Sequence, residues 1–314
     1  MKLPELADIH NAHERIKPFI HRTPVLTSEQ LNKIFGCELY FKCENFQKVG
    51  AFKFRGATNA VLSLTEEEKK QGVVTHSSGN HAAALALAAR MNNVNAYIVM
   101  PENAPAVKKN AVAGYGADIT FCKPTLQARE ESCRKIMDKE NATLIHPYDN
   151  FNVICGQGTA ALELLEERND LDIVVAPVGG GGLMSGTSIA VKGLNNKIAV
   201  FGAEPQNAND AYISFTTGSL TPSVNPLTVA DGLLTSLSEL TFSIVRKNVD
   251  QIFTAREETI IECMLLVWER MKIIIEPSSA TVLAIIKENP NVFKAKKTGL
   301  IISGGNVDFR KLPF

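Results

Sequence analysis

The feature that most limits the fold is a run of four glycines, Gly179-Gly180-Gly181-Gly182, between two apolar stretches. Upstream, Asp172 to Val178 is apolar after its first residue, as in a parallel strand covered on both faces. Downstream, Met184 to Leu194 reads as a helix. A strand turning through glycines into a helix lets the backbone approach a ligand, with N–H groups aimed at it and the helix dipole favouring an anion. A phosphate is the natural guest. The P-loop pattern is excluded, because no Gly-Lys-Ser/Thr follows. The dinucleotide pattern Gly-x-Gly-x-x-Gly fails narrowly: counted from Gly180, its third glycine would be Ser185. Glu204, however, stands about 20 residues on, where a ribose-binding acid would sit. A nicotinamide-dependent dehydrogenase therefore stays open at this point.

Around the glycines, strands and helices alternate. The pattern predicts strands at Val73–His76, Ala96–Met100, Asp118–Cys122, Lys197–Ala203, Gln251–Thr254 and Gly299–Ser303, and helices at His81–Met91, Val107–Tyr115, Leu126–Lys139 and Glu257–Met271. Such alternation means an α/β fold with parallel sheets. Ser214 to Asp231, rich in Ser, Thr, Pro and Gly, is expected to be the longest irregular segment, and such loops are often functional. At 314 residues, 45% hydrophobic and 21% charged, the chain is globular and long enough for two domains. Its 33 basic and 33 acidic residues give no electrostatic reason to bind nucleic acid or an anionic membrane. No apolar run approaches the roughly 18–20 residues of a membrane helix, and Met1-Lys2-Leu3-Pro4 opens no signal core, so a cytoplasmic protein is expected. Cys37, Cys43, Cys122, Cys133, Cys155 and Cys263 are scattered, as free buried thiols would be.

Three further segments carry chemistry. Ser77-Ser78-Gly79-Asn80-His81 is a second anion-friendly turn at a helix start, which an ordinary N-cap would also explain. In Ala51-Phe52-Lys53-Phe54-Arg55-Gly56 a lysine lies between aromatics, where desolvation would favour its neutral, nucleophilic amine. Leu300 to Asn306 reads as a buried strand whose Ser303 reaches the carboxyl edge of the sheet, where ligands bind in open α/β sheets.

Taken together, these segments resemble the fold-type-II pyridoxal-phosphate enzymes of the serine racemase and serine/threonine dehydratase family. The resemblance covers nearly the whole chain, through Thr23-Pro24-Val25, Phe41-Lys42-Cys43-Glu44, Phe52-Lys53, Thr75 to His81, Pro177 to Gly182, Trp268 to Lys272, Glu276-Pro277 and Ser303 to Asn306. It implies two open twisted parallel-sheet domains of the tryptophan synthase β kind. The large one would comprise residues 1–68 and 148–314, and the small one, residues 69–147, would be mobile over the site. It implies pyridoxal 5'-phosphate joined to Lys53 as a Schiff base, with Phe52 on the ring and Asn80 on its 3'-oxygen. Gly179, Gly180, Gly181, Gly182 and the N–H of Leu183 would cup the phosphate, and Ser303 would face the ring nitrogen. A hydroxyl there does not hold that nitrogen protonated, which suits fast β-elimination or prompt reprotonation. Ser77, Ser78, Asn80 and His81 would bind a hydroxy amino acid, with Lys53 taking the α-proton and Ser78 serving as acid/base on the opposite face.

Ser78 and Ser303-Gly304-Gly305-Asn306 are racemase-like, whereas His146-Pro147-Tyr148-Asp149 is dehydratase-like, and one active site accommodates both activities. A threonine or 3-hydroxyaspartate dehydratase without racemisation remains the alternative. Glu204, the Ala208 carbonyl and Asp210 match the metal loop of serine racemases, implying Mg²⁺, or else Ca²⁺ or Mn²⁺, and this accounts for Glu204 better than a ribose does. Lys48-Val49 stands where animal serine racemases have Lys-Thr, which puts a nucleotide effector in question. A homodimer is the assembly implied.

Overall fold

The computed structural model describes residues 2–77, 79–104 and 106–312. Ten strands form two sheets. In chain order they are β1 (Val25–Leu26), β2 (Glu38–Cys43), β3 (Val73–His76), β4 (Ala96–Pro101), β5 (Asp118–Cys122), β6 (Thr143–Leu144), β7 (Ile173–Pro177), β8 (Ala199–Pro205), β9 (Gln251–Ala255) and β10 (Lys297–Ile302). The six-stranded sheet runs β1-β2-β10-β7-β8-β9 and the four-stranded sheet β5-β4-β3-β6. Every pairing is parallel except β1 with β2.

The apolar run before the glycines behaves as its composition demands. In β7, Val174 and Ala176 enter one core while Ile173 and Val175 enter another on the opposite face. β10 divides likewise, with Ile301 on the first side and Leu300 and Ile302 on the second. A central parallel strand covered on both faces shows no polar alternation. In the four-stranded sheet, Val73, Ile98 and Met100 pack on the helix Asn80–Met91, whose buried Ala82, Ala84, Ala86, Ala88 and Ala89 let it lie close to its neighbours.

The predicted strands and helices are all present, with ends moved by one or two residues. Ser303 lies just past β10 rather than inside it. The predicted irregular stretch Ser214–Asp231 needs correcting at its start, because the helix Asp210–Thr217 continues into it. Several elements gave no legible pattern: β1, β2, β6 and the helices Leu6–Ile16, Lys53–Leu62, Phe151–Glu167 and Pro277–Glu288. Phe151–Glu167 shows why: Val153 to Leu165 is buried all round, so there is no polar face to mark a period. All six cysteines are free and buried. Among the described residues no helix is long and apolar enough to cross a membrane.

Parallel pairing sets the carboxyl ends of β2, β10, β7 and β8 along one edge of the larger sheet. Glu44, Ser303, the tetraglycine and the Glu204 segment all follow from that edge.

Candidate active site

Lys53 opens the helix Lys53–Leu62 and is fastened beside Ser303 by backbone contacts. The Phe52 N–H donates to the Ser303 carbonyl at 2.9 Å, and Ala51 forms a bridge with Gly304. The lysine Nζ donates to the Pro147 carbonyl at 2.8 Å and lies 5.1 Å from the centre of the Phe52 ring. Burial lowers its pKa to about 8, against a smaller upward pull from Glu276. An amine so placed is partly neutral near pH 7 and can act as nucleophile or base.

The tetraglycine forms a cup with no side chain in it. Gly181 has φ +84°, a left-handed turn that admits a side chain poorly, and it caps the helix Gly182–Leu194 with no side-chain hydrogen bond. The first N–H groups of that helix, Leu183's included, therefore have no intrahelical acceptor and suit an anion. A β carbon on Gly180 would come within 2.3 Å of the Tyr148 ring, which covers the cup and meets His146 edge-on at 4.6 Å.

The third wall comes from the smaller sheet. Ser77 leaves β3, and its hydroxyl accepts the Gly79 N–H at 3.3 Å. Asn80 starts the next helix. Its Nδ2 donates to Glu276 Oε1 at 3.1 Å and Oε2 at 3.2 Å, while its Oδ1 accepts from Asn306 Nδ2 at 2.9 Å. Those bonds fix which way the amide points. His81 is 2% exposed and its Nε2 lies 3.1 Å from the Ile145 carbonyl, so it braces the segment leading to His146 and Tyr148. Burial lowers its pKa to about 3, with Lys53 adding to the effect, so the ring is neutral at pH 7. Ser78 lies outside the described residues. Ser303 is buried, its Oγ 3.0 Å from Ser279 Oγ.

In the sequence, Glu276 stands only within the Glu276-Pro277 motif and carries no role of its own. In the fold it links segments that follow the two sheets: its carboxylate takes Asn80, after β3, and the Asn306 N–H, after β10, at 3.2 Å. Burial and the charge of Asp231 raise its pKa to about 7, opposed by those hydrogen bonds. Local spacing holds no signal for a partnership 196 residues apart.

The acidic loop lies at the end of β8. Glu204 is 1% exposed and accepts the N–H groups of Ala211 at 2.9 Å and Tyr212 at 2.7 Å. Ala208 ends the short turn Gln206–Ala208, and Asp210 begins the helix after it. Both Asp210 carboxylate oxygens are buried and make no hydrogen bond of good geometry among the described residues, although the Ser223 hydroxyl and the Asp210 N–H lie close enough to pull its pKa down a little. Burial raises the pKa of Asp210 to about 6 and that of Glu204 well above its usual range. Among the described residues no group of three or more His, Cys, Asp or Glu side chains gathers to hold a metal.

A sequence profile described as pyridoxal-phosphate dependent enzyme matches residues 16–304. The chain belongs to this family. It is 54% identical to a serine racemase of Dictyostelium discoideum over 98% of this chain and 96% of that one. It is 48% identical to a beta-hydroxyaspartate dehydratase of Paracoccus denitrificans over the full length of both. The crystal structure of the Dictyostelium serine racemase superposes with a TM-score of 0.93, covering 97% of this chain and 99% of that one. The chain is thus a pyridoxal-phosphate-dependent enzyme of fold type II, and the dehydrogenase reading is closed. The side-chain-free, uncapped cup fits a phosphate dianion, and the half-buried Lys53 amine fits an aldehyde partner.

Proposed function

We propose that this enzyme racemises serine and eliminates water from serine and threonine. The observation that carries the reading is Lys53, partly neutral through burial and bonded to the Pro147 carbonyl, next to Tyr148 whose ring lies against Gly180 of the uncapped anion cup. When bound, pyridoxal phosphate supplies an electron sink that acidifies the α-carbon of an attached amino acid. Gly179 to Gly182 and the Leu183 N–H would hold the phosphate, and Phe52, Asn80 and Ser303 would contact the ring, its 3'-oxygen and its nitrogen. Lys53 Nζ removes the α-proton from one face. Ser77, Asn80 and His81 set the substrate-binding turn, and Ser78 returns a proton to the opposite face. Loss of the β-hydroxyl as water, instead of reprotonation, gives an enamine, whose imine form water then hydrolyses to a 2-oxo acid and ammonia.

We further propose that residues 69–147 move as a small domain against residues 1–68 and 148–314. The four-stranded sheet within that span and the cross-cleft contacts of Asn80 support this reading. Glu204, Asp210 and the Ala208 carbonyl are proposed to hold Mg²⁺, or Ca²⁺ or Mn²⁺, supported by the unpartnered Asp210 oxygens. For a homodimer, the support is the exposed Phe46, Ile274 and Phe309, on segments tied together through Asn45 and Trp268. The buried free thiols accord with a cytoplasmic setting. No nucleotide effector is proposed.

A second reading, 3-hydroxyaspartate dehydration, is favoured by the full-length match to the Paracoccus protein. A chiral product assay with L-serine, D-serine, L-threonine and 3-hydroxyaspartate, with and without Mg²⁺, separates the two. Ser78→Ala should abolish racemisation and spare elimination from L-serine; equal loss of both sinks the two-base reading. If Lys53→Ala protein still carries cofactor that borohydride fixes to the chain, the lysine assignment is wrong.

A further inference from the structure

Across the mouth of the cleft, Lys108 of the helix Ala106–Gly114 pairs with Asp231, Nζ to Oδ2 at 2.6 Å. The two come from opposite walls. Lys108 Nζ lies 4.0 Å from where a β carbon on Gly79 would sit, so it stands over the Ser77–Asn80 turn. Asp231 opens the turn Asp231–Leu233, where the Gly232 carbonyl would be 3.1 Å from a β carbon on Gly179, so it borders the glycine cup. Both charges also act on Glu276, Asp231 adding to burial in raising its pKa and Lys108 opposing it.

We propose that Lys108 is a specificity-determining residue whose ammonium receives the second carboxylate of a β-hydroxy dicarboxylic amino acid, taken in exchange for Asp231. The proposal rests on the reading above that hydroxy amino acids are the substrates. Serine and threonine bring no second carboxylate and leave the pair intact. A dicarboxylate meets Asp231 at the opening, with Glu276 buried within reach of its charge, and needs a cation other than Lys53, which is committed to chemistry. The existing pair is simple to exchange, since its side chains are 30% and 53% exposed and such pairs contribute little. A substrate that fills the mouth excludes water and makes the new pair stronger than the one it replaces. Asp231 is then the repulsive element that holds the preference toward monocarboxylates.

The test uses the intact, cofactor-loaded enzyme and the ratio of kcat/KM for L-threo-3-hydroxyaspartate to that for L-serine. Lys108→Gln should lower the ratio about tenfold or more, a change of about 1.4 kcal/mol. Asp231→Asn should raise it, and Lys108→Arg should keep it near wild type. A ratio within twofold of wild type in Lys108→Gln overturns the proposal. Binding of L-aspartate, which has no leaving hydroxyl, gives a second readout through the cofactor absorbance. Lys108→Gln should weaken it tenfold relative to L-alanine, and an unchanged ratio of affinities overturns the proposal. Should the wild type turn over neither hydroxy substrate, the proposed reaction fails, and the L-aspartate comparison still decides Lys108.

Discussion

Two groups of buried charge in this chain are built in opposite ways. Within the helix Lys53–Leu62, Arg55 is fully buried and makes two bonds to each of two carboxylates. Its Nε and Nη2 reach Glu44 at 2.7 and 2.8 Å, and its Nη1 and Nη2 reach Glu163 at 2.8 Å each. Lys42 completes the group, donating to Glu163 and to the Thr23 carbonyl, both at 2.6 Å. Two cations meet two anions and the donors match the acceptors. The Glu204–Asp210 pair holds only acceptors, and two of its four carboxylate oxygens lack partners among the described residues. The first group is complete as folded. The second is arranged as a site that a hard cation would complete.

The largest expected effect comes from breaking the complete group. Arg55→Met leaves two buried carboxylates facing each other with only Lys42 between them, and should cost about 3–5 kcal/mol in urea unfolding. A loss below about 1 kcal/mol would show the network to be dispensable. Next is completion of the other group. Mg²⁺ at a hundredfold excess over its Kd should stabilise the protein by about 2.7 kcal/mol, and Asp210→Asn should lose most of that gain. An equal gain in wild type and variant would place the cation elsewhere.

The two groups should also carry opposite pH signatures. Asp210 binds its proton more tightly folded, at about 6, than unfolded, near 3.9. Its contribution is therefore present below pH 4 and lost as pH rises through 6, on the order of 3 kcal/mol. Burial pushes Glu163 up, but the hydrogen bonds and charge of Arg55, helped by Lys42, outweigh it and hold the carboxyl at about 2. Its contribution is present above about 4.3 and lost as pH falls toward 2. Unfolding of metal-free protein between pH 4 and 7 should show a loss with rising pH that Asp210→Asn and Mg²⁺ each reduce. If neither alters the slope, the loop is not the source. The smallest effect is expected for Lys42→Met, about 1 kcal/mol, because Glu163 keeps both bonds to Arg55. A cost as large as that of Arg55→Met would make the lysine, not the arginine, the centre of the group.

The same contrast explains what could be seen in advance. The tetraglycine, the Phe52-Lys53 pair and the Glu204-to-Asp210 spacing are local, and each was legible without the fold. Arg55 was quoted only as a neighbour of Lys53, since its partners lie 11 and 108 residues away. Glu276 stayed silent for the same reason. Helix Phe151–Glu167 escaped because complete burial removes the polar face by which helices are recognised.

The sequence by itself determined the alternation of strand and helix, the glycine turn between a buried strand and a helix, and the placing of a lysine between two aromatic residues. These depend on hydrophobic period and on the steric freedom of consecutive residues, which act within a few positions. Only the tertiary structure decided that Lys53 is held near a pKa of 8, that Glu276 orients Asn80, that Arg55 is neutralised and that Asp210 is buried without a well-formed hydrogen bond. Burial and pairing set those states, and both come from residues far apart in the chain.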